Sequence, residues 1–501
     1  MTNHMTDLFK DLFIFEMANN HQGDLNHGIA IIREMGKIKR KHNINAGVKF
    51  QYRQLSTFIH PDFLHNKEAK HISRFLSTEL SEDEFYKLVQ VTREEGLVPI
   101  CTPFDEASVD LIVKHAIEII KVASCSADDW PLLNKIVKAG KPIITSTGGL
   151  SLSQIDNLVS FLSHRSAQFA VLHCVGIYPS PNEVLHLNFI EKMIRRFPAI
   201  TIGYSGHEAP DNYDVIKVAV AMGAQIFERH VGLPTETIKL NNYSMNPEQV
   251  DQWIAAAKVA KVICGSPEKS ITQTEVDSLL SLKRGVFAKR NIQKGQTITA
   301  DDVFFAMPCA DGQLTSGQYG RYRAKYVASK DYSINESIYE ALPVDLYTQI
   351  RQIIHQAKGM FTEAGILLGN DYEVELSHHY GLENFPETGC LIVNFINREY
   401  CKKLIVVLPG QSHPSHMHKR KEETFQLLYG ELEAVLDDKV YHLKPGDQLL
   451  VERNTWHAFK SGKGAIFEEI STTHYRNDSF YQDEVIAALD PMQRKTVLDE
   501  F

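Results

Sequence analysis

The chain has 501 residues, 43% apolar and 23% charged, with a formal charge of -9, which is ordinary globular material and enough for two or three domains. The acidic balance, with no basic run longer than His418 to Lys421, argues against a nucleic-acid partner. Seven cysteines at 101, 125, 174, 264, 309, 390 and 401 show no CxxC spacing, which suits reduced thiols in a cytoplasm. The opening MTNHMTDLFKDL lacks a basic-then-apolar leader, and nowhere do about 18 uncharged apolar residues run together, so a soluble protein is expected.

From Phe13 to about Cys264 one theme repeats: a short β-branched or aromatic run, a polar junction, then a helix-period segment. The runs FIFEMANN, AGVKFQ, VPICTPF, IIKVAS, KPIITST, FAVLHCV, ITIGYS and AQIFERHV read as eight strands. Helices are expected over Asp24 to Lys41, Ser81 to Glu95, Asp129 to Ala139, Leu152 to Leu162, Asn188 to Arg196 and Asp211 to Met222, several opening on Asp, Ser or Asn caps. Eight βα units indicate an α/β fold, a (β/α)8 TIM barrel over residues 1–275, with its active site at the carboxyl ends of the strands. The residues there are polar: Glu16, Asn19, Asn20 and His21; Lys49 and Gln51; Thr102 and Asp105; Lys121, Ser124 and Ser126; Ser146 and Thr147; His173 and Tyr178; Ser205, His207, Glu228 and His230.

The stretch GAQIFERHVG carries the most specific signal. In an extended segment Ala224, Ile226, Glu228 and His230 share one face, with Gln225, Phe227 and Arg229 on the other. Ser205 and His207 bear the same i, i+2 relation at the end of the preceding run. Two histidines ending neighbouring strands suit one divalent metal with positions open for substrate; the alternative is a hydrogen-bonded core histidine at either position. Lys49 and Lys121 with the hydroxyls of Thr102, Ser124 and Ser205 suit a phosphate or carboxylate, and Glu16 and Glu228 are candidate orienting or proton-transfer groups. Spacing alone stops at a metal-assisted lyase, transferase or hydrolase acting on a small anion.

Through FEMANNHQGD, VKFQ, CTPFDE, IIKVAS, GKPIITSTGG, LHCVGIYPSP, IGYSGHE and IFERHVG, the chain resembles the bacterial sialic acid (N-acetylneuraminate) synthase family. The resemblance implies a phosphoenolpyruvate-dependent, carbon-carbon bond-forming transferase that condenses this acid with an amino sugar or related aldose, giving a 3-deoxy-2-keto sugar acid for surface polysaccharide. It implies manganese or magnesium on His207 and His230, phosphoenolpyruvate on Lys49, Thr102, Lys121, Ser124 and Ser205, Glu16 and Tyr178 in the active site, and Glu228 on the sugar. It further implies a cytoplasmic homodimer. The chain departs from the family pattern at Ser126, in place of a catalytic-site Glu, at Gly206, in place of the Asp before the first metal His, at Gly176, in place of an Asn, and near Leu240, in place of a sugar-binding Asp. Metal and phosphoenolpyruvate positions persist while sugar-facing ones change, so the expected acceptor is an acylated amino sugar other than plain N-acetylmannosamine.

Residues 276–342, with RGVFAKRNIQKGQTITADDVFFAMP, resemble the antifreeze-like (SAF) domain that follows the barrel in that family. There an Arg reaches the partner's site; Met307 stands at the matching position, so Arg321 or Arg323 substitutes, the contact is absent, or the domain is a structural cap. Residues 343–368 read as an amphipathic linker helix, and strand signals dominate 369–501, an all-β barrel or jelly roll. Within it Gly410, His416, His418, Glu423 and Gly430 are spaced like the first cupin motif, and PGDQLLVERNTWHAF places His457 at the last ligand position. His416, His418, Glu423 and His457 form a mixed nitrogen and oxygen set suited to iron, manganese, nickel or zinc, against a metal-free sugar-binding cupin, while His413 and His442 read as incidental. The added domain is then either a second enzyme, isomerising or epimerising the sugar, or a binding module that senses nucleotide-sugar or saccharide product.

Overall fold

A computed structural model describes residues 8–63, 70–319, 326–340 and 346–498, which fall into two compact units divided after Lys269. In the first unit, strands β1 (Leu12–Glu16), β2 (Asn45–Tyr52), β3 (Val98–Pro103), β4 (Ile119–Val122), β5 (Ile143–Ser146), β6 (Phe169–Cys174), β7 (Thr201–Gly206) and β8 (Ile226–His230) close in chain order into a parallel barrel. Four of the expected helices are present with caps, Asp24 opening Leu25–His42, Ser81 Glu82–Glu94, Asp129 Trp130–Lys138 and Ser151 Leu152–Ser163, whereas Asn188–Arg196 and Asp214–Ala221 form without a side-chain cap, the latter starting three residues later than expected.

Strand parity decides what fills the cylinder. Leu12, Ile14, Ile100, Ile119, Ile144, Ala170, Leu172 and Ile226 form an inner apolar plug, whereas Phe13, Phe15, Val48, Phe50, Ile120, Val171, Ile202 and Phe227 belong to a larger outer core with the helices. Gly203 makes room for the plug, since a Cβ there would stand 2.5 Å from the Ile226 carbonyl and 2.6 Å from Leu172 Cδ2. One layer above the plug the same parity brings in Glu16, Lys49, Thr102, Lys121, Ser146, Ser205 and Glu228, so burial of the apolar layer fixes the polar one. Ala224 is the exception to the predicted face: it precedes β8 and packs in the outer core.

In the second unit, Gly285–Ala288 pairs with Val303–Ala306 and Thr297–Ile298 with Tyr326–Val327 around Val286, Ile292, Ile298, Val303, Tyr332 and Ile338. The helix Gln273–Leu282 straddles residue 276. Met307 is 60% exposed, and Arg321 and Arg323 lie outside the described residues. A helix, Leu346–Glu363, packs Ile353, Ala357, Met360 and Phe361 against the outer face of a seven-stranded sheet, through Val374, Leu391, Val393, Leu404 and Val406. The sheet's other face carries Ile405, Phe425, Leu427 and Phe467, which pack with Phe459 of a five-stranded sheet to complete a double-sheet barrel. Among the described residues no helix is long and apolar enough to cross a membrane.

Candidate active site

The carboxyl ends of the barrel strands open into a cavity of about 920 Å³, lined by Glu16, Lys49, Thr102, Lys121, Ser124, Tyr178, Ser205, His207, Glu228 and His230 among others. Register sets the neighbours: Glu16 lies opposite Lys49 on one side and His230 on the other, and Ser205 opposite Glu228. At the centre the Lys49 ammonium is gripped by Glu16 and stands 2.8 Å from Glu228 Oε1, which also accepts from Ser205 Oγ at 2.9 Å. Lys121 Nζ donates to Ser146 Oγ at 2.6 Å and to the Val122 carbonyl at 3.0 Å. Burial pushes Lys49 down to about 8, against the pull of Glu228. For Glu228 burial works upward, but Lys121 and Lys49 outweigh it and hold the carboxyl below its usual range.

His207 and His230 stand with ring centroids 5.4 Å apart, and Tyr178 packs on His207 at 4.1 Å. Burial pushes His207 down to about 4 and His230 well below its ordinary value, so both rings are neutral at pH 7. The His207 Nδ1 donates to the Val175 carbonyl at 3.0 Å, leaving Nε2 as a free lone pair. Glu228 Oε2 and Thr102 Oγ1 are buried and, among the described residues, have no hydrogen-bond partner. Neutral ligand nitrogens beside unspent oxygen atoms fit a divalent ion and an oxygen-rich substrate.

Several strand-end residues expected at this mouth are elsewhere. Asn20 Nδ2 donates to the Val231 carbonyl and to Ser244 Oγ, His21 packs its ring edge-on to Phe85, and Asp105 caps the helix Glu106–Lys114. His173 lines the cavity but spends Nε2 on the Leu185 carbonyl, and Ser126 is buried off the cavity wall. Leu240 packs over Gly232. Gly206 has a physical reason: a Cβ there would stand 2.4 Å from Glu208 Oε2, so the space of an Asp side chain is taken by Glu208. Glu208 is ion-paired to Arg229, both 1% exposed, Arg229 Nη2 donates to the Glu208 carbonyl at 2.8 Å, and Tyr204 Oη donates to Glu208 Oε2 at 3.0 Å. This pair fastens the residue after His207 to the residue before His230. Sequence reasoning passed over it, although SGHE and ERHV display both partners beside the histidines.

A second cluster lies in the cupin barrel, on a cavity of about 370 Å³. The ring nitrogens of His416, His418 and His457 come within 4.8 Å of one another. Each ring gives its Nδ1 to a backbone carbonyl: Pro414 at 3.1 Å, Asp478 at 2.6 Å and Thr455 at 3.1 Å. His457 Nε2 stands 3.2 Å from Glu423 Oε2 and His418 Nε2 3.5 Å from Glu423 Oε1. Among the described residues His418 Nε2, His457 Nε2 and Glu423 Oε2 have no hydrogen-bond partner, and such buried nitrogen and oxygen atoms fit a cation. His413 is not incidental to this cluster: it is buried, stacks on Phe459 and lies 4.7 Å from His416, whereas His442 is exposed. Lys421, ion-paired to Glu423 and 3.1 Å from Glu469, was hidden inside the run HKRKEE, which reads as solvated charge.

The NeuB family profile matches residues 40–269 and the Cupin domain profile residues 403–467. The crystal structure of a putative spore coat polysaccharide biosynthesis protein E from Chromobacterium violaceum is 46% identical, with a TM-score of 0.62, and covers 66% of this chain and 98% of that one. The N-acetylneuraminate-9-phosphate synthase of Homo sapiens is 28% identical over 58% of this chain and 80% of its own length. The N,N'-diacetyllegionaminic acid synthase of Campylobacter jejuni is 27% identical over 66% of this chain and 99% of its own. With a closed eight-stranded barrel, a polar layer at its carboxyl end and relatives named as sugar acid synthases matched over most of their length, this chain belongs to the NeuB family.

Proposed function

We propose that the barrel condenses phosphoenolpyruvate with the open-chain form of an acylated amino sugar or related aldose, releasing phosphate and leaving a 3-deoxy-2-keto sugar acid of the nonulosonate type. What carries the reading is the His207–His230 pair standing beside the buried Lys49–Glu16–Glu228 group at one mouth. In it Lys49 and Lys121 grip the phosphate and carboxylate of phosphoenolpyruvate, and Thr102, Ser124 and Ser205 supply hydroxyl donors. Manganese or magnesium held by His207 and His230 would supply Lewis-acid polarisation of the sugar carbonyl. The methylene carbon of phosphoenolpyruvate forms the new bond to the sugar's carbonyl carbon, whose oxygen takes up a proton; water adds to the neighbouring carbon that bears the phosphate and gives its proton to Glu16 or Glu228, and phosphate leaves that carbon by carbon-oxygen cleavage, which leaves the 2-keto group. Tyr178, packed on His207, walls the sugar side.

The chain's divisions at 1–275, 276–342, 343–368 and 369–501 belong to the same reading, as do a homodimer and a cytoplasmic site. In the cupin barrel, His416, His418 and His457 with Glu423 would hold a second divalent metal, iron, manganese, nickel or zinc. The test is phosphate release by pure protein supplied with phosphoenolpyruvate, manganese and a panel of hexoses, with product masses read out. Turnover of an acylated amino sugar other than N-acetylmannosamine is the expected result; brisk turnover of N-acetylmannosamine alone would overturn the acceptor assignment, and no release with any sugar would overturn the reaction.

A further inference from the structure

One wall of the cupin cavity is a row of buried charges, Glu423, Glu469 and Lys403 on adjacent strands with Lys421 in the loop just before Glu423, at 2%, 4%, 6% and 3% exposure. Lys421 lies between the two carboxylates, and the register places Lys403 directly opposite Glu469. Two ammonium groups and two carboxylates cancel, and the neighbouring Lys495–Glu375 pair, 3.0 Å apart, cancels as well. A divalent ion on three neutral imidazoles therefore adds two positive charges to a buried cavity with nothing in the row left to offset them. Lys403 ion-pairs Glu469 at 3.7 Å, makes no hydrogen bond among the described residues and lines the cavity, so its N–H donors are open to an oxygen atom that enters there. Arg476 and Glu373, which also line the cavity, cancel in the same way.

We propose that this cavity binds an acidic sugar, its carboxylate taken by the Lys403 ammonium and its hydroxyl or carbonyl oxygens by the ion on His416, His418 and His457. A neutral aldose offers no charge to offset the ion and nothing to match Lys403. The choice of a sugar acid rests on the reading that the barrel makes one, and the cupin then binds that class of product rather than the aldose acceptor.

The test is titration calorimetry on the manganese-loaded full chain carrying His207→Ala and His230→Ala, so that the barrel's ion is removed from the measurement, with N-acetylneuraminate as the acidic probe and N-acetylmannosamine as the neutral one. The acid is expected to bind at least about 10-fold more tightly than the neutral sugar, and Lys403→Gln to weaken it by about 10-fold or more, the scale of one charged hydrogen bond, with Lys403→Arg restoring part. Retention of bound manganese by Lys403→Gln shows that its site is still folded. Equal binding of the two probes, or acid binding untouched by Lys403→Gln, or no acid binding with manganese retained, would overturn the proposal. Phosphate release by the wild-type chain is measured separately, so a failed barrel reading is told apart from a failed cupin reading.

Discussion

The two histidine clusters use the same local device, a ring fixed through Nδ1 by a backbone carbonyl, yet their lysines are set in opposite directions. At the barrel mouth burial wins over Glu228 and brings Lys49 down to about 8, beside a carboxylate oxygen that has no hydrogen-bond partner among the described residues. In the cupin Glu423 and Glu469 win over burial and drive Lys421 above its ordinary value. The barrel cavity is also the roomier, about 920 Å³ against 370 Å³. A lysine poised to exchange a proton beside unspent oxygens suits a reacting centre, and a clamped one suits a site that holds.

The largest expected effect falls on the frame around the barrel histidines. Arg229→Met leaves Glu208 buried and unpaired and should cost about 3–5 kcal/mol of stability, read by denaturant melts; a loss below about 1 kcal/mol would show that the pair is not what fastens His207 to His230. Next, His207→Ala or His230→Ala should lower kcat/KM by about 10²–10³, with cupin metal content unchanged by elemental analysis, which separates the two sites. Lys121→Met should raise KM for phosphoenolpyruvate by about 10- to 100-fold with a smaller change in kcat, the cost of one charged contact.

The fourth prediction uses pH. Lys49 falls from 10.5 unfolded to about 8 folded, so its contribution to stability is fully present above 10.5 and lost as pH falls through about 8. Substrate binding runs the other way, because the ammonium is what grips the anion: kcat/KM should decline above about pH 8, and Lys49→Arg should remove that limb. A limb unchanged in Lys49→Arg would assign it elsewhere. The smallest effect concerns the cupin loop. The Asp478 carboxylate accepts from the backbone N–H groups of Lys419, Arg420 and Lys421, so Asp478→Ala should cost about 1–2 kcal/mol and weaken metal retention without altering phosphate release.

Much of the barrel was legible because its signals are local. Period-two alternation along IFERHV turns Glu228 and His230 inward once Ile226 is committed to the apolar plug, and the helix caps Asp24, Ser81 and Asp129 sit next to the segments they open. The same alternation misassigned Ala224, because sequence does not mark where the strand starts. Asn20, His21 and Asp105 looked like mouth residues because strand-end loops are polar whether they bind substrate or cap the next helix. The cupin ligands were legible from spacing on neighbouring strands, but the row beside them was not. Lys403, Lys421 and Glu469 come from separate segments, and only the sheet register brings them together, while Lys419 and Arg420 of the same basic run face solvent.

The most direct test of the shared metal centre is a crystal of the full chain grown with manganese and phosphoenolpyruvate, read by anomalous scattering. A peak at the barrel mouth about 2.0–2.3 Å from a ring nitrogen of both His207 and His230, with phosphoenolpyruvate against Lys49 and Lys121, is the predicted result. Manganese confined to the cupin cavity, with phosphoenolpyruvate bound in the barrel and the two barrel histidines unligated, would contradict it.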